Sequence, residues 1–370
     1  MKRIVDKGKT LLVDGPASVI MRTGEVEVLG APLKIGVKIV IREGKRIPLE
    51  VKEKAEFDLA LSERAAVNEV EGSTIPVSWE RAVDEVLGRG KPVTVMVVGG
   101  VDSGKTSFCA YLANRALKES RNVALIDADL GQSDVGPPST IGSCSLTKPV
   151  VDPFEIGAES ICFIGVTSPS GAVSKVVEGI AGMKEKALKR GVDILIINTD
   201  GWIVGEDAVR YKVALAKEIK PDLLVGIQEK GELTFLLGAL TETQNLVVES
   251  SSAVRKRDRE ERKLLRELGY KKYLKGARTE SFSLGWIRVA GVAFGIGVRK
   301  GDEEGLLVAL HDVNESFLGI GVVEGIDYER RVIRVFTPVR EGVASLIVGR
   351  VKLDRKGREI GLSDVFTDYA

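Results

Sequence analysis

The sequence predicts an α/β centre built on a parallel sheet, with a β domain at each end. Two observations carry this. Between about residues 93 and 240, short apolar β-branched runs alternate with helical stretches, the pattern of a parallel sheet covered on both faces. Before residue 75 and after residue 281 the chain reads as short strands separated by glycine turns. The expected divisions are a small N-terminal β-sandwich over 1–75, an α/β domain over 76–280 and a C-terminal β domain over 281–370, with 71–76 as linker.

In the N-terminal part the β-rich runs are 10–13, 17–21, 25–29 and 37–41, broken at Gly15-Pro16, Gly24, Gly30 and Gly44. In the centre, residues 93–98 are continuously apolar and β-branched, as in a strand buried on both faces. A helix is expected over 105–119, then strands at 123–126 and 161–165, a helix over 175–190 and a strand at 194–197. A helix over 206–219, a strand at 223–227 and a helix near 233–240 complete the alternation. The clearest C-terminal strands are 287–298, 305–310, 317–323, 331–336 and 345–351. No repeat or low-complexity segment interrupts this plan.

Composition excludes several chemistries. A hydrophobic share of 44% over 370 residues is ample for the cores of two or three domains. No apolar run reaches the ~18–20 residues of a membrane span, and no apolar segment follows the charged start Met1-Lys2-Arg3, so a cytoplasmic location without a membrane partner is expected. Cys109, Cys144 and Cys162 stand singly and read as small buried hydrophobes. The single histidine, His311, removes Ser-His-Asp, Cys-His and multi-His zinc chemistry, and it is expected in a surface loop. Net charge is only +1, so nucleic-acid contact would need a local basic patch. The abundance of Lys, Arg and Glu resembles a thermophile composition.

The strongest motif is Gly99-Gly100-Val101-Asp102-Ser103-Gly104-Lys105-Thr106, a complete GxxxxGK[ST] running on into Ser107. It follows a buried strand and opens a helix, where backbone N–H groups and the helix N-terminus can meet phosphate oxygens. Lys105 is expected to reach the β- and γ-phosphates of a nucleotide and Thr106 to ligate Mg²⁺. Gln228-Glu229-Lys230-Gly231 does not fit the guanine-reading Asn-Lys-x-Asp segment of a GTPase, which favours ATP.

Three further segments follow. The strand at 123–126 ends in Asp127-Ala128-Asp129-Leu130-Gly131-Gln132. Strand alternation lets Asp127 and Asp129 point together at the carboxyl end of the sheet, to serve Mg²⁺ and to take a proton from an attacking hydroxyl. Gln132 is a candidate for phosphate or water. After the strand at 194–197 comes Asn198-Thr199-Asp200-Gly201-Trp202, where Gly201 permits close backbone approach and Trp202 can stack on a base or pack as plain core. The run 251–263 is rich in arginine, and Arg255 and Arg259, four apart, would share one helical face. They read either as a solvated charged helix or as a lid whose guanidinium groups stabilise phosphoryl transfer.

Together these motifs resemble the polynucleotide 5′-hydroxyl kinase family, which includes the Clp-type RNA 3′-end-processing and tRNA-splicing kinases and the Grc-type pre-rRNA-processing kinases. The resemblance rests on the phosphate loop, the Asp127-x-Asp129-x-Gly131-Gln132 tip, Thr199-x-Gly201-Trp202 and Arg255-x-x-x-Arg259, in that order. It covers the central domain and implies flanking β domains, here in the short archaeal form. It implies ATP and Mg²⁺ as cofactors, with Lys105 and Thr106 on phosphate and metal and Asp127 or Asp129 as base. It further implies Thr199, Gly201 and Trp202 on the first nucleotides and Arg255 and Arg259 as lid. Asp14 and Arg46 are the nearest matches to the family's adenine contacts. The expected substrate is an RNA or DNA 5′-hydroxyl end, with RNA-processing proteins as partners.

Three other readings remain open at this point: an ATP-bound scaffold of an RNA-processing assembly, a MinD-like P-loop ATPase, and a small-metabolite kinase. The acid tip and lid are intact, which counts against a scaffold. MinD-like proteins carry an additional lysine early in the phosphate loop, where this chain has Gly100 and Val101.

Overall fold

The computed structural model describes residues 1–290 and 301–363, which carry three seven-stranded sheets. The central sheet has the order Ser160–Phe163, Thr140–Leu146, Val123–Ala128, Ile194–Thr199, Val93–Gly99, Leu223–Gln228, Asn245–Glu249. The five strands from Val123–Ala128 onward are mutually parallel, as the alternation of strands and helices predicts. The strand Thr140–Leu146 pairs antiparallel both with Val123–Ala128 and with the edge strand Ser160–Phe163. Its sequence, Thr-Ile-Gly-Ser-Cys-Ser-Leu, lacks a clean apolar run and gives little strand signal.

Alternation in the strand Val93–Gly99 divides the central core in two. Val95 and Val97 face Trp79, Val83, Phe108 and Leu112, which come from the helices Val77–Leu87 and Lys105–Lys118. Met96 and Val98 face Val176, Ile180, Tyr211 and Leu215, from the helices Val173–Lys189 and Glu206–Ile219. The loops that follow the five parallel strands therefore leave the same carboxyl edge of a doubly covered sheet.

The N-terminal strands form one antiparallel sheet around a single core rather than two separate sheets. The reason is the strand Arg46–Leu61. Its sixteen residues are long enough to pair with Lys2–Val5, Lys9–Asp14 and Ala17–Val28 in one continuous ladder. Ile47, Leu49, Val51, Ala55, Phe57 and Leu59 are all buried, on a two-residue period broken only at the exposed Glu53.

In the C-terminal sheet Leu306–His311, Phe317–Asp327, Val332–Thr337 and Ser345–Leu353 lie where strands are expected. Of the strand expected over 287–298, Arg288–Ala290 is observed and 291–298 lie outside the described residues. His311 is not a surface loop residue: it ends a buried strand with its ring edge-on to Phe317. The helix Arg259–Tyr273 joins this sheet to the centre, since Tyr270 and the adjoining Leu274 pack with Leu307, Ile320 and Val351. All three cysteines are free, two buried and Cys162 half-buried.

Candidate active site

The phosphate loop leaves the sheet at Gly99 and enters the helix at Lys105. Gly104 caps that helix with φ of 99°, a left-handed conformation that a side chain would strain. Lys105 is buried, and its ammonium donates to the carbonyls of Gly99 (3.0 Å) and Gly100 (2.7 Å). Burial lowers its pKa against the opposing pull of Asp129. Residues 101–107 line a cleft between this loop, the N-terminal sheet and the segment 251–257. Seven cationic side chains (Arg42, Lys45, Arg46, Lys105, Arg255, Arg257, Arg266) and four carboxylates (Asp102, Asp129, Asp134, Asp152) line it, and Arg46, Arg255 and Arg266 pair with Asp14, Glu261 and Glu359 behind the lining.

Asp127 and Asp129 do not point together. Asp127 ends the strand inside the protein, and all its acceptor positions are taken. Oδ1 accepts from Asn198 Nδ2 (3.0 Å) and Asp129 N (3.3 Å), and Oδ2 from Asp134 N (2.7 Å) and Val135 N (3.1 Å). Burial first, then Asp134 and Asp129, push its carboxyl up to about 7, while the N–H groups of Val135 and Asp134 pull the other way. It does not line the cleft, where a base or a metal ligand is expected. Asp129, one residue past the strand end, does line the cleft; its Oδ1 accepts from Gly131 N (3.2 Å) and Gln132 N (3.0 Å). Burial raises the Asp129 pKa, with Lys105 opposing. Gln132 lines the cleft as expected, its amide held by the carbonyls of Gly131 and Arg262.

Asn198 joins the two halves of the site. Its Nδ2 donates to Asp127 and, at 3.3 Å, to the Thr106 hydroxyl, because the sheet register sets Asn198 beside both Asp127 and Val97. Its Oδ1 is buried and has no hydrogen-bond partner among the described residues. A hard oxygen beside Thr106 fits a divalent cation with its water shell. Among the described residues no group of three or more acidic, histidine or cysteine side chains could hold a metal alone.

The segment Thr199–Trp202 is placed differently from expectation. Thr199 is fully buried and its hydroxyl bonds the Val97 carbonyl at 2.8 Å, so it secures the sheet rather than facing a ligand. Gly201 lies against the phosphate loop: a Cβ there would be 2.6 Å from Val101 Cγ2 and 2.8 Å from Val101 N. Trp202 stacks on Tyr211, with ring centroids 5.8 Å apart, and faces a shallow groove with Ser170, Val173 and Arg210, outside the phosphate cleft.

Arg255 and Arg259 do not share a helical face. The helix begins at Arg259, capped by Asp258 in a reciprocal capping box with Glu261, and Arg255 lies in the irregular segment before it. Arg255 lines the cleft and pairs with Glu261. Arg259 is exposed, does not line the cleft and has no partner among the described residues. The cation that meets the phosphate loop is Arg257: Nη1 lies 2.7 Å from Asp102 Oδ1, its N–H donates to Asp102 Oδ2 (2.9 Å), and Nε donates to the Gly44 carbonyl (2.8 Å). Arg262 stands 3.6 Å from the same carboxylate.

The N-terminal sheet contributes one wall. Arg46 lines the cleft and forms a two-pronged pair with Asp14, both distances 2.8 Å. Asp14 is thereby occupied and does not line the cleft. Arg42 and Lys45 reach across to Asp134, at 3.2 and 2.8 Å. Beside them Val28, Leu29, Ile47 and Pro48 make an apolar patch.

A family model described as "mRNA cleavage and polyadenylation factor CLP1 P-loop" matches residues 99–276. A Thermococcus kodakarensis protein named polyribonucleotide 5′-hydroxyl-kinase is 30% identical over 340 residues, covering 78% of this chain and 96% of the relative. The chain belongs to this CLP1 and polyribonucleotide 5′-hydroxyl-kinase family. A Pyrococcus abyssi protein of the same name is 28% identical over 342 residues, with the same coverage. The CLP1 homolog of Nematostella vectensis is 23% identical, covering 93% of this chain and 86% of its own. A solved complex of Clp1p with Pcf11p shares the fold with a TM-score of 0.77 at 14% identity, over 95% of this chain and 97% of that one.

Within this CLP1-type chain, sequence reasoning missed Arg257, Arg42, Lys45 and Asn198. Asp258-x-x-Glu261 is a capping-box pattern and could have located the helix start, and so separated Arg259 from the face of Arg255. Arg42, Lys45 and Asn198 are brought to the site only by tertiary packing.

Proposed function

We propose that the chain is an ATP-dependent kinase that transfers the γ-phosphoryl group to the 5′-hydroxyl end of RNA. Its family relatives carry that name, and the observation that carries the reading here is the placement of Asp129. This carboxylate lines the same cleft as Lys105, Thr106, Arg255 and Arg257. A scaffold that only held ATP would have no use for a base there.

In this reading residues 101–107 cradle the phosphates by backbone N–H groups, and Lys105 exchanges its two loop carbonyls for phosphate oxygens. The apolar patch of Val28, Leu29, Ile47 and Pro48 receives the base. Mg²⁺ would be held by the Thr106 hydroxyl and the nucleotide's own phosphate oxygens, with the Asn198 oxygen and Asp127 ordering its surroundings. When bound it supplies neutralisation of phosphate charge. Asp129 accepts the 5′-hydroxyl proton as that oxygen bonds to the γ-phosphorus. The bond from the γ-phosphorus to the β–γ bridging oxygen breaks, and ADP leaves with that oxygen. Arg255 and Arg257 stabilise the charge spread over the transferred group.

The test is incubation with γ-labelled ATP and 5′-hydroxyl oligonucleotides of both sugars. Label on the ribose oligonucleotide supports the reading, label on the deoxyribose one extends it to DNA, and ADP formation without label transfer removes it.

A further inference from the structure

We infer that Lys212 is a positioning residue for the acceptor side of the reaction, holding the Asp200–Trp202 turn in register with the phosphate loop from inside the adjoining helix. The inference rests on the kinase reading above and on Trp202 meeting the acceptor strand from its groove outside the phosphate cleft, and it adds a residue that touches neither substrate.

Lys212 lies within the helix Glu206–Ile219 and its side chain is completely buried. Its ammonium donates to Asp200 Oδ2 at 2.9 Å and to the Asp200 carbonyl at 3.1 Å. It also stands 4.8 Å from the centre of the Tyr211 ring. Asp200 spends its remaining capacity on the same turn: Oδ1 accepts the Trp202 N–H at 2.9 Å and Oδ2 accepts the Tyr211 hydroxyl at 2.8 Å. Tyr211 in turn carries the Trp202 ring at an interplanar angle of 22°. On its other side the turn meets the phosphate loop, where Gly201 leaves no room for a side chain against Val101. One buried charge pair thus sets the distance between the phosphate loop and the indole.

Stability alone gives no reason for an ion pair here. Desolvating two charges is costly, and apolar residues of similar volume are often as stable or more so. Tyr211, Leu215 and Ile219 already pack this helix into the core. An apolar pair would fill the space but could not fix the Trp202 N–H and the Tyr211 hydroxyl in one arrangement. The pair is also felt electrically at the reacting groups. Beyond burial and the mutual pull of Asp129 and Lys105, Asp200 pushes Asp129 upward, while on Lys105 the downward push of Lys212 is opposed by Asp200.

The experiment compares Lys212→Met with the all-apolar chain Asp200→Leu/Tyr211→Phe/Lys212→Met, each built on Trp286→Phe. That background removes the one fully exposed indole, and Trp79 is fully buried, so acrylamide quenching reports Trp202. Melting temperature, KM for ATP and KM for a 5′-hydroxyl oligoribonucleotide are measured on the same samples. The expected result is a KM for the oligoribonucleotide raised about tenfold or more, with KM for ATP within about twofold and stronger quenching. These changes should persist in the all-apolar chain when its melting temperature returns to that of the background. Recovery of oligoribonucleotide KM and quenching together with the melting temperature would overturn the inference and leave the pair a fold element. If Lys212→Met does not fold, the all-apolar chain decides. If the unsubstituted chain phosphorylates no oligonucleotide, the kinase reading fails by itself, and quenching alone decides whether Lys212 holds Trp202.

Discussion

The Arg257 guanidinium lies 2.7 Å from the Asp102 carboxylate, so the segment leading to the helix Arg259–Tyr273 is moored to the tip of the phosphate loop. Its Nε also holds the Gly44 carbonyl of the N-terminal sheet. One side chain therefore ties its own segment to two other parts of the molecule around the cleft where the triphosphate is proposed to bind.

Arg257→Ala should slow single-turnover transfer at saturating ATP by roughly 10²-fold or more, the scale of losing a cation aligned on a phosphoryl transition state. Arg259→Ala should stay within about threefold, since its side chain is solvated and costs little to remove. Equal rates for the two variants would show that Arg257 only braces the loop.

Lys105→Ala should abolish label transfer. The ammonium bonds only loop carbonyls that the nucleotide replaces, so circular dichroism and melting temperature should stay close to wild type. Persistent transfer would remove the phosphate loop from the reaction.

The two strand-tip carboxylates should separate cleanly. Asp129→Asn should lower kcat by 10²-fold or more, on the scale typical of general-base removal, with ATP affinity little changed. Asp127→Asn should act on stability, because its amide NH₂ would face N–H donors. A loss of about 1–3 kcal/mol in denaturant unfolding is expected for such an unpaired group. A kcat collapse in a fully stable Asp127→Asn chain would move the base inward.

Acid should detach the N-terminal wall. Burial would raise the Asp134 carboxyl, but Lys45 and Arg42 together hold it below its usual range. A depressed folded value means that its contribution is present above the unfolded value near 3.9 and is lost as pH falls through the lower folded value. Asp134→Asn should therefore lower the melting temperature at pH 7, and its melting temperature should fall less than wild type's below about pH 4. Parallel curves for the two chains would mean that the cluster contributes nothing.

How much was legible follows from what kind of signal each feature leaves. The phosphate loop, its strand and its helix are local: Gly99 to Thr106 carry their own geometry, and residues 93–98 carry their own burial. The alternation of strands and helices follows from periodicity. The strand Arg46–Leu61 had an equally regular period, but Pro48 and the charged Lys52-Glu53-Lys54 hid it. The shared helical face expected of Arg255 and Arg259 fails because a local rule was applied in the wrong place. Four-residue spacing puts side chains on one face only inside a helix, and the capping box starts that helix at Arg259.

By itself the sequence determined the fold class, the phosphate loop and the order of the motifs, because each depends on neighbours a few residues apart. Only the tertiary structure decided which of Asp127 and Asp129 faces the cleft, which arginine meets Asp102, and where Trp202 points. Those outcomes depend on contacts between residues far apart in the chain: Asn198 on Asp127, Arg257 on Asp102 and Lys212 on Asp200. A side chain's direction is set by the partner it finds, and the partner is named only once the sheet has brought the loops together.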